Sequence, residues 1–140
     1  MKYISFKKYN WTYIFIIMLL QSTPLTAKEP LCKKVIIQYV DFDILTIADV
    51  SCLYFNIAFD KEIQTSTITN NRKIEELIGL LNKLEIDQET KSVDVRMKIR
   101  LLYKNTTEEI CLDKFNVLRG KNFYKTNASL LQFLKKQVKL

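Results

Sequence analysis

Arg96, Lys98 and Arg100 recur at every second position of the stretch Val93–Lys104, which reads Val-Asp-Val-Arg-Met-Lys-Ile-Arg-Leu-Leu-Tyr-Lys. In an extended chain that spacing puts three cations on one face. Such a row could hold a carboxylate, a phosphate or an anionic glycan, since a guanidinium offers a planar fork of donors. It is also what the solvated face of an antiparallel sheet ordinarily carries, where charge keeps the sheet soluble and deters edge pairing. The three residues are the candidate binding positions, and the solvated face is the commoner use of such a pattern.

Other chemistry is sparse. Asp94 and Asp113 could approach each other across a hairpin, but no motif surrounds them, and an ion pair with Arg96 or Lys114 accounts for them more simply. Asp41 and Asp43 form Asp-x-Asp without the glycine and terminal glutamate of a calcium loop. The chain has no histidine, which removes histidine-based triads, the commonest general base and most catalytic zinc sites. Gly79 and Gly120 stand alone, so no glycine-rich phosphate loop can be built. The reading is non-enzymatic, with no cofactor and no metal. Cys32, Cys52 and Cys111 allow three single disulfide pairings with one thiol left over. No Cys-x-x-Cys motif and no histidine is present to activate a thiol. Asn105-Thr-Thr107 and Asn127-Ala-Ser129 match the glycosylation acceptor pattern, which matters only in a eukaryotic secretory route.

The elements that would position these residues follow from periodicity. Val93, Val95, Met97, Ile99, Leu101 and Tyr103 alternate with the charges, so 93–104 is expected to be a strand with one face on a core and the other in water. Val35–Val40 is a first strand, Val50–Phe59 a second with both faces covered, and Ile63–Ile68 a third. Asn70 and Asn71 open a helix from about Arg72 to Leu84, with Ile74, Leu77, Ile78, Leu81 and Leu84 at helical spacing. Gly79 inside it weakens it and could allow close approach to the sheet. Glu109–Phe115 returns as the hairpin partner of the central strand. Arg119–Asn122 is a further turn, leading to a short strand near Tyr124. Thr126-Asn127 caps a last helix, Ser129 to about Val138, with lysines at its carboxyl end. The fold expected is α+β: an antiparallel sheet of about four to six strands with two helices packed on one face.

The amino terminus reads as an export signal. Lys2, Lys7 and Lys8 precede the apolar run Tyr13–Leu20, and Ala27 ends the segment at a small residue. The run is short of the roughly 20 residues a spanning helix needs. Residues 1–27 are expected to be a signal peptide and 28–140 a single α+β domain, secreted or periplasmic. The alternative is an anchor left uncleaved, which would be the protein's one tie to a membrane. Lipidation at Cys32 is disfavoured, because Glu29-Pro30-Leu31 supplies no small residues before it. Net charge is +7 for the whole chain and +4 without the signal, from 19 basic and 15 acidic residues, too mild for a nucleic-acid surface.

Lys73-Ile-Glu-Glu-Leu-Ile78 and the following Asp94-Val-Arg96 strand, with the signal and the hairpin, resemble small exported bacterial proteins of unknown function. That resemblance implies no activity and no site residues. The function expected is a binding or interaction module of the cell envelope or periplasm, with an unknown protein or an anionic envelope ligand as partner. The alternative is an inhibitor or immunity-type partner of an exported enzyme.

Overall fold

The computed structural model describes residues 31–138; the expected signal peptide lies outside them. Nine elements follow in order: β1 (Lys34–Tyr39), α1 (Phe55–Ala58), β2 (Gln64–Ile68), α2 (Asn71–Leu81), β3 (Met97–Leu102), β4 (Thr107–Leu112), β5 (Asn116–Arg119), β6 (Asn122–Lys125) and α3 (Ala128–Gln137). The strands form one antiparallel sheet in the order β2-β1-β3-β4-β5-β6. The fold is α+β, as expected.

The period of two decides what each face carries. Ile68, Val35 and Leu101 lie across the sheet in one row. Ile37, Ile99 and Ile110 make the next, and Tyr39, Met97, Leu112 and Val117 the third. This face packs against Ile74, Leu77 and Leu81 of α2 and Leu130, Phe133 and Leu134 of α3. Both helices begin at asparagine caps. The Asn70 side chain accepts from the Lys73 N–H and Asn127 from the Leu130 N–H, each stabilising its helix by about 1 kcal/mol.

The opposite face carries Ile36, Gln38, Lys98, Arg100, Glu109, Cys111, Leu118 and Phe123 by register. It is not open to water as expected. Residues 40–63 cross back over it and set Val40, Val50, Phe55 and Phe59, with Val93 and Val95, into a second, smaller core. Two expectations are thereby corrected. Val50–Phe59 is a stretch of turns ending in α1, not a strand: its buried phenylalanines stand four apart, meeting edge to face at 5.5 Å, which is the spacing of a helical turn. The central strand begins at Met97 rather than Val93, because the Val95 N–H bonds to the Val50 carbonyl at 2.8 Å instead of joining the ladder. Val93 and Val95 therefore enter the second core, not the first.

The β5–β6 turn places its only positive φ, +62°, at Gly120, among the described residues. Glycine at the first central position is the II′ pattern, which matches the twist of paired strands. Residues 85–87 cover the β6 edge: the Asp87 N–H donates to the Phe123 carbonyl and the Lys125 N–H to that of Glu85.

Gly79 does not serve close packing, since a Cβ built there meets nothing within 4 Å. Gly79→Ala should raise the unfolding free energy by about 0.5–1 kcal/mol through helix propensity alone. Thermal and denaturant unfolding would read the gain, and a loss would mean that α2 is tighter against its surroundings than its geometry indicates.

Candidate functional site

Arg96 is 5% exposed, and both terminal nitrogens of its guanidinium are engaged. Its two terminal nitrogens hold Asp94 in a fork at 2.6 and 2.8 Å. Nη1 also donates to the Val95 carbonyl at 3.1 Å, and Nη2 to the Ile44 carbonyl at 3.2 Å and Thr46 Oγ1 at 2.9 Å. The cation lies 5.3 Å from the Phe59 ring centre. Asp94 accepts from the Val50 N–H at 2.8 Å. The group ties β3 to the segment that crosses it, and Asp94 is the ion-pair partner that its position suggested.

Lys98 is 7% exposed. Its ammonium sits 3.5 Å from Glu109 Oε1 and 5.9 Å from the Phe55 ring centre. Arg100 is half-buried, opposite Ile36 on β1 and Glu109 on β4, and its Nε has no hydrogen-bond partner. Of the three cations brought onto one face, two are thus committed inside the protein. The sequence signal for this was the apolar excess of residues 44–59, which must cover something.

Beside this row, Cys52 and Cys111 form a disulfide with Cα atoms 5.8 Å apart, and Cys32 is free and buried. The disulfide joins the crossing segment to β4. Cys52, Glu109 and Cys111 are the one set of acidic and sulfur ligands close enough to share a metal among the described residues. Two of those three are disulfide sulfurs, which offer no thiolate. Burial pushes the Cys32 thiol up.

A second polar cluster lies on the helical side, where sequence reasoning found nothing. Arg119 donates Nε and Nη2 to the two Glu108 oxygens at 2.5 and 3.3 Å, and Nη1 to Asn82 at 2.8 Å. The Tyr103 hydroxyl donates to Glu108 at 3.4 Å. Desolvation, and then the Glu108 charge, push the Tyr103 phenol up to about 12. Arg119 and Glu108 are eleven apart in sequence and meet only through β4–β5 pairing, so no local pattern announces them.

Asp113 accepts from the Phe115 and Asn116 N–H groups and shapes a turn. Asp43 pairs with Lys114, which together with Lys135 holds its carboxyl below the usual range. The most distinctive surface is apolar. Leu45, Ile47, Leu53, Tyr54 and Ile57 are all exposed, Leu45 and Ile47 fully. They share the crossing segment with Asp41, Asp43, Asp49, Asp60 and Glu62, against Lys61 as its one cation. No helix among the described residues is long and apolar enough to cross a membrane. Comparison with family models, curated proteins and solved structures finds no match.

Arg96→Met should destabilise by roughly 2–3 kcal/mol. That is below the ~3–5 kcal/mol of a fully buried pair, because Asp94 keeps a third of its side-chain exposure. Lys98→Met should be near neutral or stabilising, since Glu109 remains half solvated. Chemical denaturation of both variants checks the contrast, and equal losses would contradict it.

Tyr103 should ionise well above the ordinary tyrosine range in an absorbance titration of the native protein. Its folded pKa lies above the unfolded value near 10, so its contribution to stability is complete below pH 10 and lost as pH rises towards 12. Tyr103→Phe should flatten the fall in stability across that window; an unchanged slope would remove Tyr103 from the account.

Proposed function

We propose that the protein is an exported, non-enzymatic interaction module of the cell envelope or periplasm. The reading rests on the amino-terminal signal pattern and on one structural observation, the exposed apolar side chains of residues 45–57 held on a segment that is covalently stapled to the sheet. Singly exposed apolar residues are ordinary, but several large ones on one pinned segment mark an interaction surface.

The partner is a protein whose apolar contact surface is rimmed by basic groups. Outside the Asp43–Lys114 pair, Asp41, Asp49, Asp60 and Glu62 accompany the apolar residues within 41–62, and they would repel an anionic bilayer while complementing lysine and arginine. Rigid presentation favours such binding, because little ordering entropy remains to be lost. Of the β3 row only Arg100 stays outside the buried ion pairs, and its unpartnered Nε is itself buried.

Intact mass of protein exported by its native host tests the first half of the reading. The expected chain begins at Lys28, weighs two hydrogens less than its reduced form, and yields one thiol, Cys32, that reacts only after denaturation. A chain retaining residues 1–27, or three reactive thiols, would overturn export as a disulfide-bearing soluble domain. Cross-linking in the envelope tests the second half. A single stoichiometric protein partner should be captured, and lost on Leu45→Asp with Ile57→Asp while thermal unfolding is unchanged; capture insensitive to both substitutions would sink the docking surface.

A further inference from the structure

We infer that the cleft between the 41–43 turn, the β4–β5 turn and α3 is a binding site for an amphipathic molecule with an anionic head, such as a fatty carboxylate. The cleft measures about 510 Å³, within the roughly 300–1,000 Å³ of ligand sites. Phe42, Phe115 and Leu131 line it. Phe42 and Leu131 are half-buried, while Phe115 is 73% exposed. An aromatic ring left in water at a cleft already lined by two apolar side chains gains most from an apolar guest.

The charges around the mouth select the head group. Lys114 and Asp43 neutralise each other as an ion pair. The Asp41 carboxylate accepts the Asp43 N–H at 2.8 Å. Lys135 lines the cleft without a salt bridge of its own, and Lys136 follows it on α3. A shallower depression lined by Leu131, Lys135 and Lys136 adjoins the cleft, which puts a second ammonium-bearing residue beside Lys135 for the head group. The four charged side chains that line the cleft, Asp41, Asp43, Lys114 and Lys135, sum to zero, and Lys136, in the adjoining depression, adds one positive charge. A cationic amphiphile would meet both lysines there, whereas a carboxylate meets two donors. The site is separate from the apolar residues 45–57 and does not depend on where the protein resides.

Calorimetry of the purified protein with dodecanoate, kept below its micelle concentration, tests the site, with dodecyltrimethylammonium as the cation of equal chain length. One dodecanoate per chain should bind, and the cation should bind far more weakly. Phe115→Ser should weaken dodecanoate by about tenfold or more through lost apolar contact. Lys135→Glu should weaken it about five- to tenfold, the scale of an exposed charge reversed. Lys83→Glu, the same charge change outside the cleft, should leave it unaltered. Both cleft residues have exposed or mouth-facing side chains, and thermal unfolding would verify that the variants remain folded. Equal affinity for the two amphiphiles, several dodecanoates per chain, or indifference to both cleft substitutions would overturn the assignment.

Discussion

Burying the Arg96 guanidinium is the constraint on which the second layer depends. A cation removed from water at this depth costs several kcal/mol unless its donors are all met. The acceptors come from two places: Asp94 and the Val95 carbonyl beside it on the chain, and the Ile44 carbonyl and Thr46 hydroxyl about fifty residues earlier. Neither set suffices alone. The route of residues 41–50 is therefore dictated by an electrostatic requirement of β3, and Asp94 extends the same knot to the Val50 N–H. The disulfide then closes the segment onto β4 two residues later. With a sequence separation of 59, the loss of chain entropy in the unfolded state corresponds to about 4 kcal/mol.

A layer pinned in this way has little freedom to hide what it carries. Val50, Phe55 and Phe59 point into the sheet, and a single short helical turn cannot turn its other side inward as well. Leu53, Tyr54 and Ile57 are left outside by the geometry of α1, and Leu45 and Ile47 by the path that Arg96 imposes. Their exposure is thus the consequence of well-made interactions underneath. This is the physical difference between a presented apolar surface and a loose one: the backbone bearing it is fixed by hydrogen bonds, two cation–π contacts and a covalent bond.

The first layer was legible in the sequence because its signals are local. Asn70 and Asn127 cap helices where their side chains must, and Met97 to Leu101 alternates strictly. Gly120 stands where a tight hairpin needs a positive φ. The second layer was not legible, because its signals are conflicting or non-local. Residues 50–59 are apolar and β-prone, so strand propensity concealed the Phe55–Phe59 spacing that tertiary packing selects. Alternating charge in β3 reads as a solvated face in isolation, and only the layer supplied by residues 40–63 turns Arg96 and Lys98 into buried groups. The Arg119–Glu108–Tyr103 cluster is assembled by strand pairing and could not be found by spacing.

The cysteines show how the two layers divide the chemistry. Composition left three pairings open, but Cys32 belongs to the core under the helices and Cys52 and Cys111 to the opposite side of the sheet. A bond from Cys32 to either would have to pass through the sheet, so one pairing fits the topology. The odd thiol is a hazard wherever disulfides persist, since a thiolate attacks a neighbouring disulfide. Here the sheet separates attacker from target, burial denies access, and the raised thiol pKa withdraws the nucleophilic form. The sheet and the burial protect separately, and the raised pKa follows from the burial. A chain so arranged can carry an unpaired cysteine through an oxidising compartment without scrambling the bond that holds its second layer in place.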